Sequence, residues 1–77
     1  MRVRFYRVNE EANSFDVLGD VFEVTRADFE RMRAECECAE DDTQIVADLK
    51  DRNGDTLDTA LLTRQMHLRA ASALKAR

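Results

Sequence analysis

Asn53-Gly54 stands between two apolar-bearing runs, TQIVADLKD before it and TLDTALL after it. Both residues accept positive φ, so the pair predicts a type I′ turn closing a β-hairpin, with strands over 44–51 and 55–62. A chain committed to a hairpin in its second half needs more strands to cover that hairpin's edges, and the first half supplies them. Residues 3–8, VRFYRV, are rich in β-branched and aromatic types. FDVLGDVFEV, residues 15–24, reads as a second strand after the polar turn NEEANS.

Gly19 interrupts that second strand. Phe15 and Val17 share one parity, Phe22 and Val24 the other. A one-residue bulge at the glycine would put all four on one face, whereas an unbroken strand would be apolar on both faces.

Two helices complete the pattern. Thr25-Arg-Ala-Asp28 is a capping sequence, and Phe29, Met32, Cys36 and Ala39 follow as one helical stripe. Thr63 caps a last helix over 64–76, whose apolar side collects Met66, Ala70, Ala73 and Leu74. A start near Asp58 is the competing reading, and it would put Arg64 in the middle of the buried face. Val24-Thr25-Arg26 matches Leu62-Thr63-Arg64, with Asp20 and Asp58 in register upstream, as two similar units would. The expectation is an α+β domain of ββαββα order, one antiparallel sheet with both helices packed on one face. Its predicted core is Phe5, Val17, Phe22, Val24, Phe29, Met32, Ile45, Val46, Leu49, Leu57, Leu61, Met66 and Leu74.

With 77 residues and two glycines, this is one domain over 1–77 with a thin core. Cores of this size contribute only about 3–5 kcal/mol, so pairing with another copy or with a partner is expected to help. No run approaches a membrane span, and MRVRFYRV is too short and too charged for a signal peptide's apolar region; a cytoplasmic setting is expected.

The chemistry-bearing residues point away from catalysis. Cys36 and Cys38 at i and i+2 on a helix point about 200° apart, so they cannot share a metal while the helix persists. The single histidine, His67, has no partner serine and sits at the margin of the last helix's apolar side. Asp51, Asn53 and Asp55 mimic the start of a calcium loop, but Thr56 stands where the turn needs glycine and Leu62 where it needs a bidentate Glu. The two glycines are too far apart for a phosphate cradle. No cofactor or metal is implied, and the chain is not expected to be an enzyme.

Charge is the remaining signal. The formal net charge is −4, yet the basic residues are polarised: Arg2, Arg4 and Arg7 open the chain, Arg64, Arg69, Lys75 and Arg77 close it, and every carboxylate lies between Glu10 and Asp58. Glu35, Glu37, Glu40, Asp41 and Asp42 crowd the negative end of the first helix dipole, where anions are disfavoured. Such a local inconsistency is enriched at functional sites, and it predicts an acidic docking patch for a basic partner protein. The protein is then a small regulator or inhibitor, in the style of the compact accessory proteins of phages and mobile elements. The rival is a nucleic-acid-binding regulator that uses Arg2, Arg4, Arg64, Arg69 and Lys75, with Phe5 or Tyr6 offering a ring. Against it stand a pI near 4.9 and the lack of a recognition motif.

Overall fold

A computed structural model describes residues 1–37 and 45–77, the side chains of residues 36 and 37 excepted. Its elements run β1 (Arg2–Asn9), β2 (Ser14–Glu23), α1 (Arg26–Glu37), β3 (Ile45–Lys50), β4 (Thr56–Leu62) and α2 (Arg64–Lys75). All neighbouring strands are antiparallel, in the order β2-β1-β3-β4. The first strand of each hairpin therefore lies at the centre and the second at an edge, so the two halves meet about a pseudo-twofold between β1 and β3. The competing helix start at Asp58 is excluded, because residues 56–62 are strand.

Both helices cover the same face of the sheet. Val3 and Phe5 of β1, Ile45, Ala47 and Leu49 of β3, and Ala60 and Leu62 of β4 point into the core, where Val24, Phe29, Met32 and Leu74 meet them. Leu18, Phe22, Met66 and Ala70 pack on its margin. The helix starts form as their caps predict. The Thr25 amide donates to Asp28 Oδ2 at 2.9 Å and the Asp28 amide donates to Thr25 Oγ1 at 3.1 Å, a reciprocal capping box. Thr63 Oγ1 accepts from the Met66 amide at 3.1 Å.

Three expectations are corrected. The turn after β3 is not type I′, because Gly54 alone has positive φ, at 85°. The Gly54 amide donates to the Asp51 carbonyl and the Asp51 amide to the Asp55 carbonyl, which makes a three-residue loop ending in a left-handed glycine. The Asp51 carboxylate accepts from the amides of Asn53 and Asp55, at 2.9 and 3.0 Å, and so holds the loop that resembled a calcium site.

The bulge in β2 is also different. Val3 pairs with Phe22 and Phe5 with Leu18, so β2 carries two extra residues rather than one. An even insertion preserves parity: Leu18 and Phe22 lean toward the core, while Phe15 and Val17 stay on the opposite face.

The third correction is the parity of β4. Leu57 and Leu61 are exposed, whereas Ala60 and Leu62 are buried. This phase turns Asp58 toward the helix side, a costly position for a carboxylate without partners. Arg33 Nη2 at 2.7 Å and Arg26 Nη2 at 3.1 Å, both from α1, supply them. The Arg33 guanidinium first and the Thr59 amide next, with a smaller share from Arg26, hold the Asp58 carboxyl below its ordinary range. Val46, half-buried, likewise faces away from the core.

Candidate functional site

The face of the sheet that no helix covers carries an apolar row across all four strands. Val17 is paired with Tyr6, Tyr6 with Val46, and Val46 with Leu61. Val17 is 49% exposed and Leu61 56%. Beside the row, Val8 is paired with Phe15, which is 62% exposed and meets the Tyr6 ring edge-on at 6.5 Å. Five of the large apolar side chains left exposed, Val8, Phe15, Val17, Val21 and Leu61, thus gather on one surface instead of being scattered. Contiguous apolar surface of this kind marks an interaction site.

The two ends of this face differ in charge. Past the row toward the β3–β4 loop, Arg2, Arg4, Lys50 and Arg52 line a groove of about 510 Å³ with Tyr6, Val17 and Val21. Arg2 pairs with Glu23 at 3.1 Å. Arg4, Lys50 and Arg52 have no carboxylate within ion-pair distance among the described residues, although Lys50 reaches its cross-strand partner Thr56 at Oγ1, 3.5 Å away. Asp48, in the strand beside Arg4, accepts the Thr59 hydroxyl at 3.0 Å. Toward the β1–β2 turn the sign reverses. Glu10 and Glu11 line a second hollow with Val8, Asn9 and Arg7, and Arg7 is already paired with Asp16 at 3.3 Å.

The residues expected to form a site are distributed otherwise. Glu35 is exposed on α1 and lines the groove between the helices with Arg31, Arg69 and Arg77. Glu37 ends α1, but its side chain, with Glu40, Asp41 and Asp42, lies outside the described residues. So do the side chain of Cys36 and the whole of Cys38. The alternative basic set is divided: Arg2 and Arg4 are on the open face, while Arg64, Arg69 and Lys75 are on α2, behind the sheet. Phe5 is fully buried and offers no ring to a ligand, whereas Tyr6 is on the open face.

His67 touches the Phe5 ring edge-on at 4.7 Å. Burial first, and Lys75 second, hold its pKa below the ordinary value. That environment keeps the imidazole neutral near pH 7 as a packing group. Among the described residues no group of three or more His, Cys, Asp or Glu is placed to hold a metal, and no helix is long and apolar enough to cross a membrane.

Val17, Val46 and Leu61, expected in the core, belong to this open face, as do Lys50 and Arg52. Alternation in RVRFYRVN and IVADLK puts Arg2, Arg4 and Tyr6 on one parity of β1 and Val46 and Lys50 on one parity of β3, which is the signal the sequence offers. No protein-family model matches the chain, and neither a curated protein nor a solved structure matches it.

Proposed function

We propose that this chain is a non-enzymatic protein-binding module whose partner docks on the open face of the sheet. The observation that supports it is the row Val17–Tyr6–Val46–Leu61, apolar from edge to edge and covered by neither helix. Burying it against a partner returns about 25 cal/mol per Å² of apolar area, which a 77-residue domain with a thin core does not recover in isolation. A regulatory role in the cytoplasm goes with this reading. A basic partner meeting Glu35, Glu37, Glu40, Asp41 and Asp42 keeps one electrostatic support, since the last turn of α1 contains no basic residue.

A nucleic-acid reading draws on the groove that joins Arg2, Arg4, Lys50 and Arg52 to the Tyr6 ring. It ranks second because the other three cations it needs are behind the sheet, and because the rest of the open face offers aliphatic side chains rather than a series of stacking rings. Affinity capture from a cell extract, with and without nuclease, separates the readings. Nuclease-resistant capture that Leu61→Asp abolishes supports the module. Recovery of nucleic acid alone, unaffected by Leu61→Asp, overturns it.

A further inference from the structure

We infer that the occupant of the open face is a second copy of this chain, packed sheet against sheet with its strands reversed. The inference rests on the docking reading above and deepens it.

Charge placement along the strands carries the argument. Along β1, Arg2, Arg4, Tyr6 and Val8 alternate onto the open face, and Glu10 and Glu11 begin the turn just past the strand's end at Asn9, so the sheet runs from a cationic end through an apolar middle to an anionic turn. The groove at the first end adds Lys50 and Arg52. An isologous dimer requires a surface that is complementary to itself under a twofold rotation. Only two in-plane axes bring the open faces together in register. An axis along the strands sets the cationic end of one sheet against that of the other, where Arg4, Lys50 and Arg52 outnumber Asp48 and Asp51, which is repulsive. An axis along the row Val17–Tyr6–Val46–Leu61 stacks each row residue on its counterpart, places Val21 toward Phe15 of the partner subunit, and lays the cationic end of each sheet over Glu10 and Glu11 of the other. Like charges facing each other are penalised and opposite charges fix register, so the second arrangement is the one this surface specifies. Aligned sheets at about 30° are the usual geometry for such packing.

The unpaired state of the groups agrees with it. Arg4, Lys50 and Arg52 at one end, and Glu10 and Glu11 at the other, form no ion pair among the described residues. The arginines of α1, by contrast, are all paired within the chain.

Sedimentation equilibrium tests the inference. The wild-type chain should self-associate to twice its 8.9 kDa mass. Glu10→Lys with Glu11→Lys, and separately Arg4→Glu with Arg52→Glu, should each weaken association by at least about tenfold, and a one-to-one mixture of the two variants should restore it. These are surface substitutions, and circular dichroism confirms that each variant is folded. A chain that stays monomeric up to about 1 mM overturns the second copy as occupant. So does a dimer indifferent to Leu61→Asp, or one whose two charge variants fail to complement each other. The docking reading fails separately: if the monomeric chain still captures another protein and Leu61→Asp abolishes that capture, the open face is a docking surface for a different occupant.

Discussion

Arg77 closes on Asp28 through two parallel hydrogen bonds, Nη1 to Oδ2 at 3.0 Å and Nη2 to Oδ1 at 2.8 Å. The same carboxylate caps α1 through the Thr25 amide, so one side chain joins the start of the first helix to the chain beyond the second. Arg77 is the larger cause, and the Thr25 amide the next, that hold the Asp28 carboxyl far below its ordinary value of 3.8. A depressed carboxylate stabilises the fold fully above its unfolded pKa and loses that contribution as pH falls toward the folded one. Urea unfolding should therefore show stability declining below about pH 4, and Asp28→Asn should be less stable at neutral pH with a shallower acid decline. An Asp28→Asn curve parallel to wild type down to acid pH would remove the linkage.

His67 gives a second pH response in a separate window. Its folded pKa lies below 6.5 because burial disfavours the cation. The unfolded chain then takes up a proton first, so stability is complete above pH 6.5 and falls as pH drops from there toward the folded value. His67→Gln should flatten this part of the profile. As the chain has one histidine, its ring proton shifts report the folded pKa directly, and a value at or above 6.5 would contradict the packing role.

Adjacent leucines at the end of β4 should behave oppositely. Leu62 is fully buried and Leu61 is more than half exposed. Leu62→Ala should cost about 2–5 kcal/mol through lost burial and a cavity. Leu61→Ala should leave the isolated fold within about 0.5 kcal/mol while weakening whatever docks on the open face. Equal losses in chemical unfolding would mean that the assigned strand phase is wrong.

Gly54 offers a test of the turn. A Cβ there meets nothing within 4 Å, so only the positive φ of 85° opposes a side chain. Gly54→Ala should cost about 1–2 kcal/mol. Asn53, whose φ is not positive, should tolerate Ala with a smaller loss, that of its turn preference; a type I′ turn would instead penalise both. Thermal unfolding of the two variants distinguishes these outcomes.

By itself, the sequence determined the number, order and type of elements, because those follow from local chemistry. Thr25 and Thr63 are caps wherever the chain goes, Gly54 forces a turn, and the spacing of Phe29 and Met32 defines one side of α1. The alternation of β1 was legible in the same way, with Arg2, Arg4 and Tyr6 on one parity. What only the tertiary structure decided was which face of each edge strand is inside. In β4 the choice between Leu57 and Leu61 or Ala60 and Leu62 turned on whether an inward Asp58 finds partners, and those partners, Arg26 and Arg33, belong to a helix distant in sequence. In β2 it turned on whether the irregularity near Gly19 adds one residue or two, which shows only in pairing with β1. A period-two pattern records alternation but not phase: a shift by one residue exchanges core for surface throughout a strand. The open apolar face consequently came into view only when β1 and β3 had set the phase for their neighbours.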